Sequence, residues 1–249
     1  MTPFNFLTKI FIFPIYYIFH YNIFFGWIQK KLIKKYYYKK FIFELKNCNF
    51  PLPYYSSFIF NTYELNDRKI IQRNLSKKNK CIIVGGGIGF IGVIAYHLTM
   101  NPIILFEINE KIIPNLKKNL ISNVVKFKIY VGNLMLTKIN KKKYFYNHEN
   151  FLATSMYRST QKKVKLKNLY YKNISKIKIF NTLIIDGEGV EEHYINYINF
   201  LPNIKYLIFE FHNDLFDNKD KINLFKKLNK KNFYLKDSFL NSYFFEKTK

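Results

Sequence analysis

Between residues 81 and 131 the chain alternates short apolar runs with stretches of helical pattern. Cys81 to Val84, Ile103 to Phe106 and Val125 to Val131 read as strands, with Phe90 to Thr99 and Glu110 to Leu120 as helices between them. Strands written as near-continuous apolar runs are buried on both faces, and strands that alternate with helices pair in parallel. The alternation resumes with Thr182 to Ile185 and Lys205 to Phe209 as strands and Val190 to Phe200 and Asp220 to Lys230 as helices. Asn232 to Leu235 and Tyr243 to Glu246 then predict a closing hairpin. The fold class is therefore α/β, with a mostly parallel sheet and a C-terminal antiparallel hairpin. Upstream, Asp67 to Leu75 reads as a helix with Ile70, Ile71 and Leu75 on one side, while Phe41 to Leu45 and Ser57 to Phe60 read as strands bracketing a turn at Pro51 and Pro53. The Lys-rich stretch from Asn140 to Asn181 predicts an antiparallel insertion or a flap.

Gly85, Gly86, Gly87 and Gly89 fall between the first strand of this sheet and its helix. Missing side chains there let the backbone turn tightly and approach a ligand, and the helix N-terminus behind favours an anionic or strongly polar group. Twenty residues after Gly87, at the end of the next strand, stands Glu107. A carboxylate in that place accepts both hydroxyls of a ribose, so the pair points to a nucleoside-containing cofactor. Two glycine patterns overlap. Gly85, Gly87 and Gly89 match the G-x-G-x-G of S-adenosylmethionine sites, and Gly87, Gly89 and Gly92 match the G-x-G-x-x-G of dinucleotide sites.

After the fourth strand, Asp186, Glu188, Glu191 and Glu192 put four carboxylates within seven positions of a chain otherwise dominated by lysine. Gly187 and Gly189 let the chain turn there toward the next helix, at the sheet edge where open α/β folds bind ligands. Carboxylates crowded at such an edge repel one another, which suits one of them to act as a general base. Glu192 is the expected helix-dipole partner of the N-terminus that follows.

The run Glu107-Ile108-Asn109-Glu110, followed by Leu116-Lys117-Lys118-Asn119-Leu120, resembles class I methyltransferases. Adding Thr62-Tyr63-Glu64, Asp186-Gly187-Glu188-Gly189-Val190-Glu191 and Phe209-Glu210-Phe211-His212, the chain resembles the FkbM family of S-adenosylmethionine-dependent methyltransferases over about residues 41 to 246. The resemblance implies a Rossmann-like, seven-stranded class I methyltransferase sheet with S-adenosyl-L-methionine as cofactor. It implies Gly85, Gly87 and Gly89 at the methionine moiety, Glu107 at the ribose and Glu64 near the cofactor, with Asn133 at the end of the third strand in the place that meets the adenine. It also implies Asp186, Glu188 and His212 as catalytic residues, with Asp186 first choice for the base. The acceptor expected by analogy is a hydroxyl on a sugar, a glycan or a related small molecule. Ordinary carboxylates rather than a metal site are expected at Asp186, Glu188 and His212. The chain departs from the family in carrying Ile83 where an acid usually precedes the glycines, and Gly187 where the acidic motif has valine. Two further readings stay open: an NAD(P)- or FAD-dependent oxidoreductase using Gly87, Gly89, Gly92 and Glu107, and a non-catalytic, membrane-associated remnant of the fold. His97 is expected to be structural, His193 to face solvent, and His148 to sit on a substrate flap.

The net charge of +25 over 249 residues invites a nucleic-acid reading, but only Arg68, Arg73 and Arg158 among the basic residues carry the guanidinium favoured for bidentate recognition. The charge is also spread along the chain, so no specific nucleic-acid partner is expected. With Cys48 and Cys81 as the only cysteines, neither a disulfide framework nor a Cys-built zinc site is available. From Ile10 to Ile28 run 19 residues without a charge, interrupted by Pro14, His20 and Asn22 and followed by Lys30, Lys31, Lys34, Lys35, Lys39 and Lys40. Residues 1 to 40 thus read as an apolar, basic helical extension, packed or lying in a membrane interface in preference to spanning it, ahead of a methyltransferase domain at 41 to 249. The expected location is cytoplasmic, peripheral to or anchored at the cytoplasmic face of the membrane.

Overall fold

A computed structural model describes residues 23–46, 48, 50, 52–137, 144–146, 163–165, 167–187, 189–212 and 215–248. Glu188, His20, His148 and most of the apolar N-terminal run lie outside the described residues.

The helices are α1 (Ile23–Leu32), α2 (Leu52–Ile59), α3 (Leu65–Asn74), α4 (Phe90–Thr99), α5 (Ile113–Ser122), α6 (Glu191–Tyr197) and α7 (Asn218–Asn229). The strands are β1 (Lys35–Tyr38), β2 (Phe41–Glu44), β3 (Cys81–Val84), β4 (Ile103–Glu107), β5 (Phe127–Val131), β6 (Asn133–Met135), β7 (Tyr144–Tyr146), β8 (Lys163–Lys165), β9 (Asn168–Tyr170), β10 (Thr182–Ile185), β11 (Tyr206–Glu210), β12 (Phe233–Phe239) and β13 (Ser242–Lys247). Seven of these strands form one sheet in the order β12-β13-β11-β10-β3-β4-β5. β3, β4, β5, β10 and β11 pair in parallel, whereas β13 runs antiparallel to both β11 and β12. Numbered by chain position within the sheet the order is 3-2-1-4-5-7-6, with the last strand inserted antiparallel. This is the Rossmann-like sheet of class I methyltransferases.

Alternate residues of each central strand feed two cores. Ile83, Leu105, Ile184 and Ile208 pack with Ile70 and Ile71 of α3, Phe90 and Val93 of α4 and Leu116 of α5. Ile82, Val84, Ile104, Phe106, Leu183, Ile185 and Phe209 pack on the other face with Tyr194 of α6 and Leu224 and Leu228 of α7. Burial on both faces is why these strands read as unbroken apolar runs.

Two upstream features differ from expectation. Ser57 to Phe60, read as a strand, belongs mostly to helix α2. Pro53 stands in its first turn, where a missing N–H breaks no helical bond, and Tyr55 and Phe58, three apart, bury one face. The aromatic content that favours a strand is overridden by packing in a cluster with Tyr36, Phe50, Tyr63 and Phe90. Second, β1 pairs with β2 from Lys35↔Glu44 to Tyr38↔Phe41, so the domain boundary drawn at residue 40 falls inside a hairpin. Tyr36 and Tyr38 of β1 sit in the core. Ahead of it α1 docks on α2, where buried Ser56 donates to Gln29 at 3.1 Å.

In the Lys-rich middle, the described pieces are an antiparallel pair, β7 with β8, and a parallel pair, β6 with β9. Among the described residues no helix is long and apolar enough to cross a membrane.

Candidate active site

Register builds the site. Val84 on β3 is level with Phe106 on β4 and Ile185 on β10, and Ile185 is level with Phe209 on β11. The next residue on each strand therefore forms a row across the carboxyl edge of the sheet: Glu107, Gly85, Asp186, Glu210. Neighbouring strands stand about 4.8 Å apart, so an acid on one meets an acid on the next. The strand order reverses between β3 and β10, and ligands of open α/β sheets bind in the crevice at such a reversal.

Only glycine fits the middle of the row. Gly85 has φ +91°, and a Cβ there would stand 1.8 Å from the backbone oxygen of Asp186. Gly87, at φ +50°, is different, because a Cβ added to it would meet nothing within 4 Å. The loop thus packs tightly against β10 at its start and leaves an open cradle two residues later. Gly89 caps α4 at φ +88°, and a Cβ there would stand 3.0 Å from the Leu116 side chain of α5.

Glu107 fixes the loop from the β4 side. Its Oε2 accepts the Gly87 N–H at 2.9 Å and its Oε1 accepts the Asn109 N–H at 2.8 Å. Burial raises its pKa above the usual carboxylate range, and the backbone N–H bonds oppose that rise. In all, four backbone N–H groups, those of Gly86, Gly87, Ile108 and Asn109, hold this carboxylate at the edge of the loop. Asn133 is also buried, with its amide donating to the sulfur of Met135 at 3.1 Å and accepting from the Tyr194 hydroxyl at 3.1 Å.

At the other end of the row the acids gather around His212. Its Nδ1 lies 2.6 Å from Oε1 of the wholly buried Glu191, and its Nε2 lies 3.8 Å from Oδ1 of Asp186. Asp186, Glu210 and His212 bring one ligand atom each within 4.8 Å of one another, and so do Glu64, Asp67 and Asp186. Asn66 donates to Glu210 at 3.2 Å. Among the described residues no Lys or Arg pairs with Asp67, Glu191 or Glu210. Glu64 reaches the cluster from a left-handed backbone, φ 50°, at the start of α3. A non-glycine residue held there carries about 1 kcal/mol of strain, a feature that concentrates at functional sites.

Asp186, His212 and Glu64 thus come together, and Gly85, Gly87, Gly89 and Glu107 form a second group on the same edge. Asp67 was missed. It is 1% exposed, its Oδ1 accepts the Ser242 hydroxyl, and its Oδ2 has no hydrogen-bond partner. Burial, then the nearby Glu210 and Glu64, push its pKa well above the ordinary aspartate value. The signal was present in the spacing: Asp67 precedes Ile70 and Ile71 by three and four residues, which puts an acid on the buried face of α3. Glu191 and Glu210 were part of the quoted motifs without a role of their own.

Two other described histidines, His97 and His193, stand among packing contacts. His97 Nε2 bonds the backbone oxygen of Asn123 at 2.8 Å, and its ring packs on Phe41. His193, expected in solvent, has a buried Nε2 with no partner and rings of Tyr194 and Tyr197 beside it. Burial lowers its pKa. A cavity of about 450 Å³ lies between α6 and α7, lined by Glu192, Phe216, Leu224 and Lys227, and includes neither the glycine loop nor Asp186.

No family model matches the chain, and no curated protein matches it. The FkbM likeness therefore stays a resemblance. Solved structures similar to the chain include the precorrin-6y C5,15-methyltransferase of Geobacter metallireducens, at 10% identity and a TM-score of 0.44, covering 73% of this chain and 87% of that one. The ribosomal protein L11 methylase of Lactobacillus delbrueckii is 12% identical, with a TM-score of 0.43 over 73% of this chain and 77% of that one. TYW2 of P. horikoshii in complex with MeSAdo is 9% identical, with a TM-score of 0.47 over 85% and 68%.

Proposed function

We propose that the protein is an S-adenosylmethionine-dependent methyltransferase of the FkbM type that methylates a hydroxyl on a sugar, a glycan or a related small acceptor. The observation that carries this reading is the row Glu107, Gly85, Asp186, Glu210 at the strand-order reversal, with an open cradle over Gly87. Open space at Gly87 supports a cofactor in that cradle, with Glu107 as the carboxylate that the ribose hydroxyls would meet and Glu64 near the cofactor by the resemblance. When bound, S-adenosylmethionine supplies a methyl group on an electrophilic sulfonium.

This chain's residues then have two tasks. One is to align the acceptor oxygen with that methyl and to exclude water. The other is to remove the hydroxyl proton, since an alcohol is a poor nucleophile at neutral pH. Asp186 takes the proton at its carboxylate. His212, held at Nδ1 by Glu191, keeps Nε2 beside Asp186 as a second acceptor. Glu188 is assigned to the same side by the resemblance alone.

Calorimetric titration with S-adenosylmethionine and, separately, with NAD(H) tests the reading. Saturable binding of S-adenosylmethionine is expected. Binding of NAD(H) alone would make the chain an oxidoreductase, and binding of neither would make it a remnant of the fold.

For the N-terminal segment we propose contact with an anionic membrane surface on the cytoplasmic side. The uncharged run before the lysines supports it, as do Trp27 and Leu32 of α1, both exposed, with the Lys31 ammonium 3.6 Å above the Trp27 ring. Because β1 lies in the core, the contacting segment ends before Lys35. Cell fractionation with and without residues 1 to 32 tests this, and an unchanged distribution would refute it.

A further inference from the structure

The sheet has a second edge, and its chemistry is the reverse of the first. The residues just before β3, β4, β5, β10 and β11 lie at the amino ends of these parallel strands, opposite the row of Glu107, Gly85, Asp186 and Glu210. Hydrogen bonds join the five entry loops in strand order. Asn203, before β11, donates to the backbone oxygen of Lys178, before β10. Asn181, at the start of β10, donates to the oxygen of Lys78 at 2.9 Å and accepts the Lys80 N–H at 2.8 Å. Asn101, before β4, donates to the oxygens of Lys77 and Asn79 at 2.8 and 2.9 Å. The Ile103 N–H then donates to the oxygen of Lys126, before β5, at 3.0 Å. With strands about 4.8 Å apart, the stitched edge is roughly 20 Å long.

Lysines that are spread evenly along the sequence collect on this edge. Lys77, Lys78, Lys80, Lys126, Lys178 and Lys205 are all exposed, and none of them forms an ion pair among the described residues. Residues 75–80, 99–102, 121–126, 174–181 and 200–205 contain no Asp, Glu or Arg. Glu246 on β13, level with Tyr206, marks the end of the lysine row.

Aliphatic side chains stand in water between these lysines: Met100 before β4, Val124 before β5 and Ile179 before β10. Val124 is held there against its own preference. Helix α5 ends in two bonds, from the Val125 N–H to the Leu120 oxygen at 3.0 Å and from the Val124 N–H to the Ile121 oxygen at 2.9 Å. They put Val124 at the left-handed position that glycine normally fills. Its φ is 56° and its side chain is branched at Cβ, a strained combination. At 78% exposure, no packing within the chain offsets that strain. Met100 caps α4 at φ 56° as well.

We propose that this amino edge is a docking surface for an anionic lipid membrane. Lysines attract anionic headgroups, and aliphatic side chains held among them enter the boundary between headgroups and acyl chains. This chemistry fits a bilayer better than a nucleic acid. The loops lack the guanidinium preferred for phosphate recognition, and a phosphate backbone offers no apolar partner to Met100, Val124 and Ile179. The same field orients the molecule. The acids gathered around Asp186 and His212 lie at the opposite edge, so an anionic surface repels the candidate active site and leaves it facing water. The proposal rests neither on the methyltransferase reading nor on the N-terminal segment, with which this edge shares no residue.

Flotation of the full chain with phosphatidylcholine vesicles, with and without phosphatidylserine, tests the proposal. Binding to the vesicles that contain phosphatidylserine is expected, falling as salt is raised. Each lysine near such a surface is worth about fivefold in binding, so Lys77→Gln, Lys80→Gln and Lys126→Gln combined should lower it about 100-fold with the melting temperature unchanged. Val124→Gly should move the two readouts in opposite directions. Glycine relieves the left-handed strain, so the melting temperature rises, while loss of the aliphatic side chain weakens vesicle binding. Vesicle binding unchanged in the triple variant would overturn the proposal, because the N-terminal segment would then carry all of it. Absence of binding to phosphatidylserine vesicles would overturn it as well, and a short single-stranded RNA bound in their place would assign the edge to nucleic acid.

Discussion

The two ends of the row differ in how their polar groups are satisfied. At the β3 and β4 end, each oxygen of Glu107 accepts a backbone N–H, and the glycine loop is held against Asp186 at one point and left open at another. At the β10 and β11 end, Asp67 Oδ2 and Glu191 Oε2 are buried without hydrogen bonds, Asp186, Glu191 and Glu210 stand about His212, and Glu64 and Asp67 stand beside Asp186. One end is completed by its own backbone, whereas the other concentrates acidic groups, two of which keep a buried oxygen that no hydrogen bond reaches. Substitutions of the glycines at the first should therefore act through shape, and substitutions of the acids at either end through charge.

Within the first end, Gly85 and Gly87 should separate fold from function. Gly85→Ala combines left-handed strain with a Cβ that strikes the backbone of β10, and an expected loss of about 4 kcal/mol or more would show in denaturant unfolding. Gly87→Ala meets no atom, so only about 1 kcal/mol of strain is expected. Its new methyl group would occupy the cradle and weaken S-adenosylmethionine in calorimetry. Unchanged affinity in Gly87→Ala would move the cofactor elsewhere.

Charge should decide the outcome at the second end. Asp186→Asn is expected to bind S-adenosylmethionine normally and to lose turnover by about 10² to 10⁴, the range of a lost general base. Full activity would remove Asp186 from the chemistry. Glu107→Ala is the smaller counterpart across the row. It should reduce S-adenosylmethionine affinity by an amount equivalent to about 1.5 to 3 kcal/mol, the worth of a charged hydrogen bond, with little effect on turnover at saturation.

The same contrast decides what could be read in the sequence. Strand and helix identities between Cys81 and Leu120 were legible because burial on two faces writes itself as apolar runs, and the glycine loop because left-handed backbone demands glycine. The acids split. Asp186 was legible from its place after an apolar run, but its meeting with Glu64 and Asp67 depends on how α3 docks on the sheet, more than a hundred residues away in the chain. Ser57 to Phe60 was misread for a related reason, since a short aromatic run takes its form from the partners it packs against.

Asp67 offers the finest probe of the comparison. Its pKa is raised in the folded state by burial and by Glu210 and Glu64. The folded protein therefore holds a proton that the unfolded chain releases once the pH exceeds the ordinary aspartate value of 3.8. Across the window from there up through the folded pKa the native state binds more protons, so stability falls as the pH rises. Asp67→Asn has no proton to lose and should not show that slope. From thermal melts, the stability of the variant relative to the wild type should rise steadily from pH 4 to pH 8, reaching a gain of about 1 to 3 kcal/mol, the usual penalty of a buried unpaired group. If the two proteins melt in parallel at every pH, Asp67 carries no uncompensated charge, and the second end of the row is as complete in itself as the first.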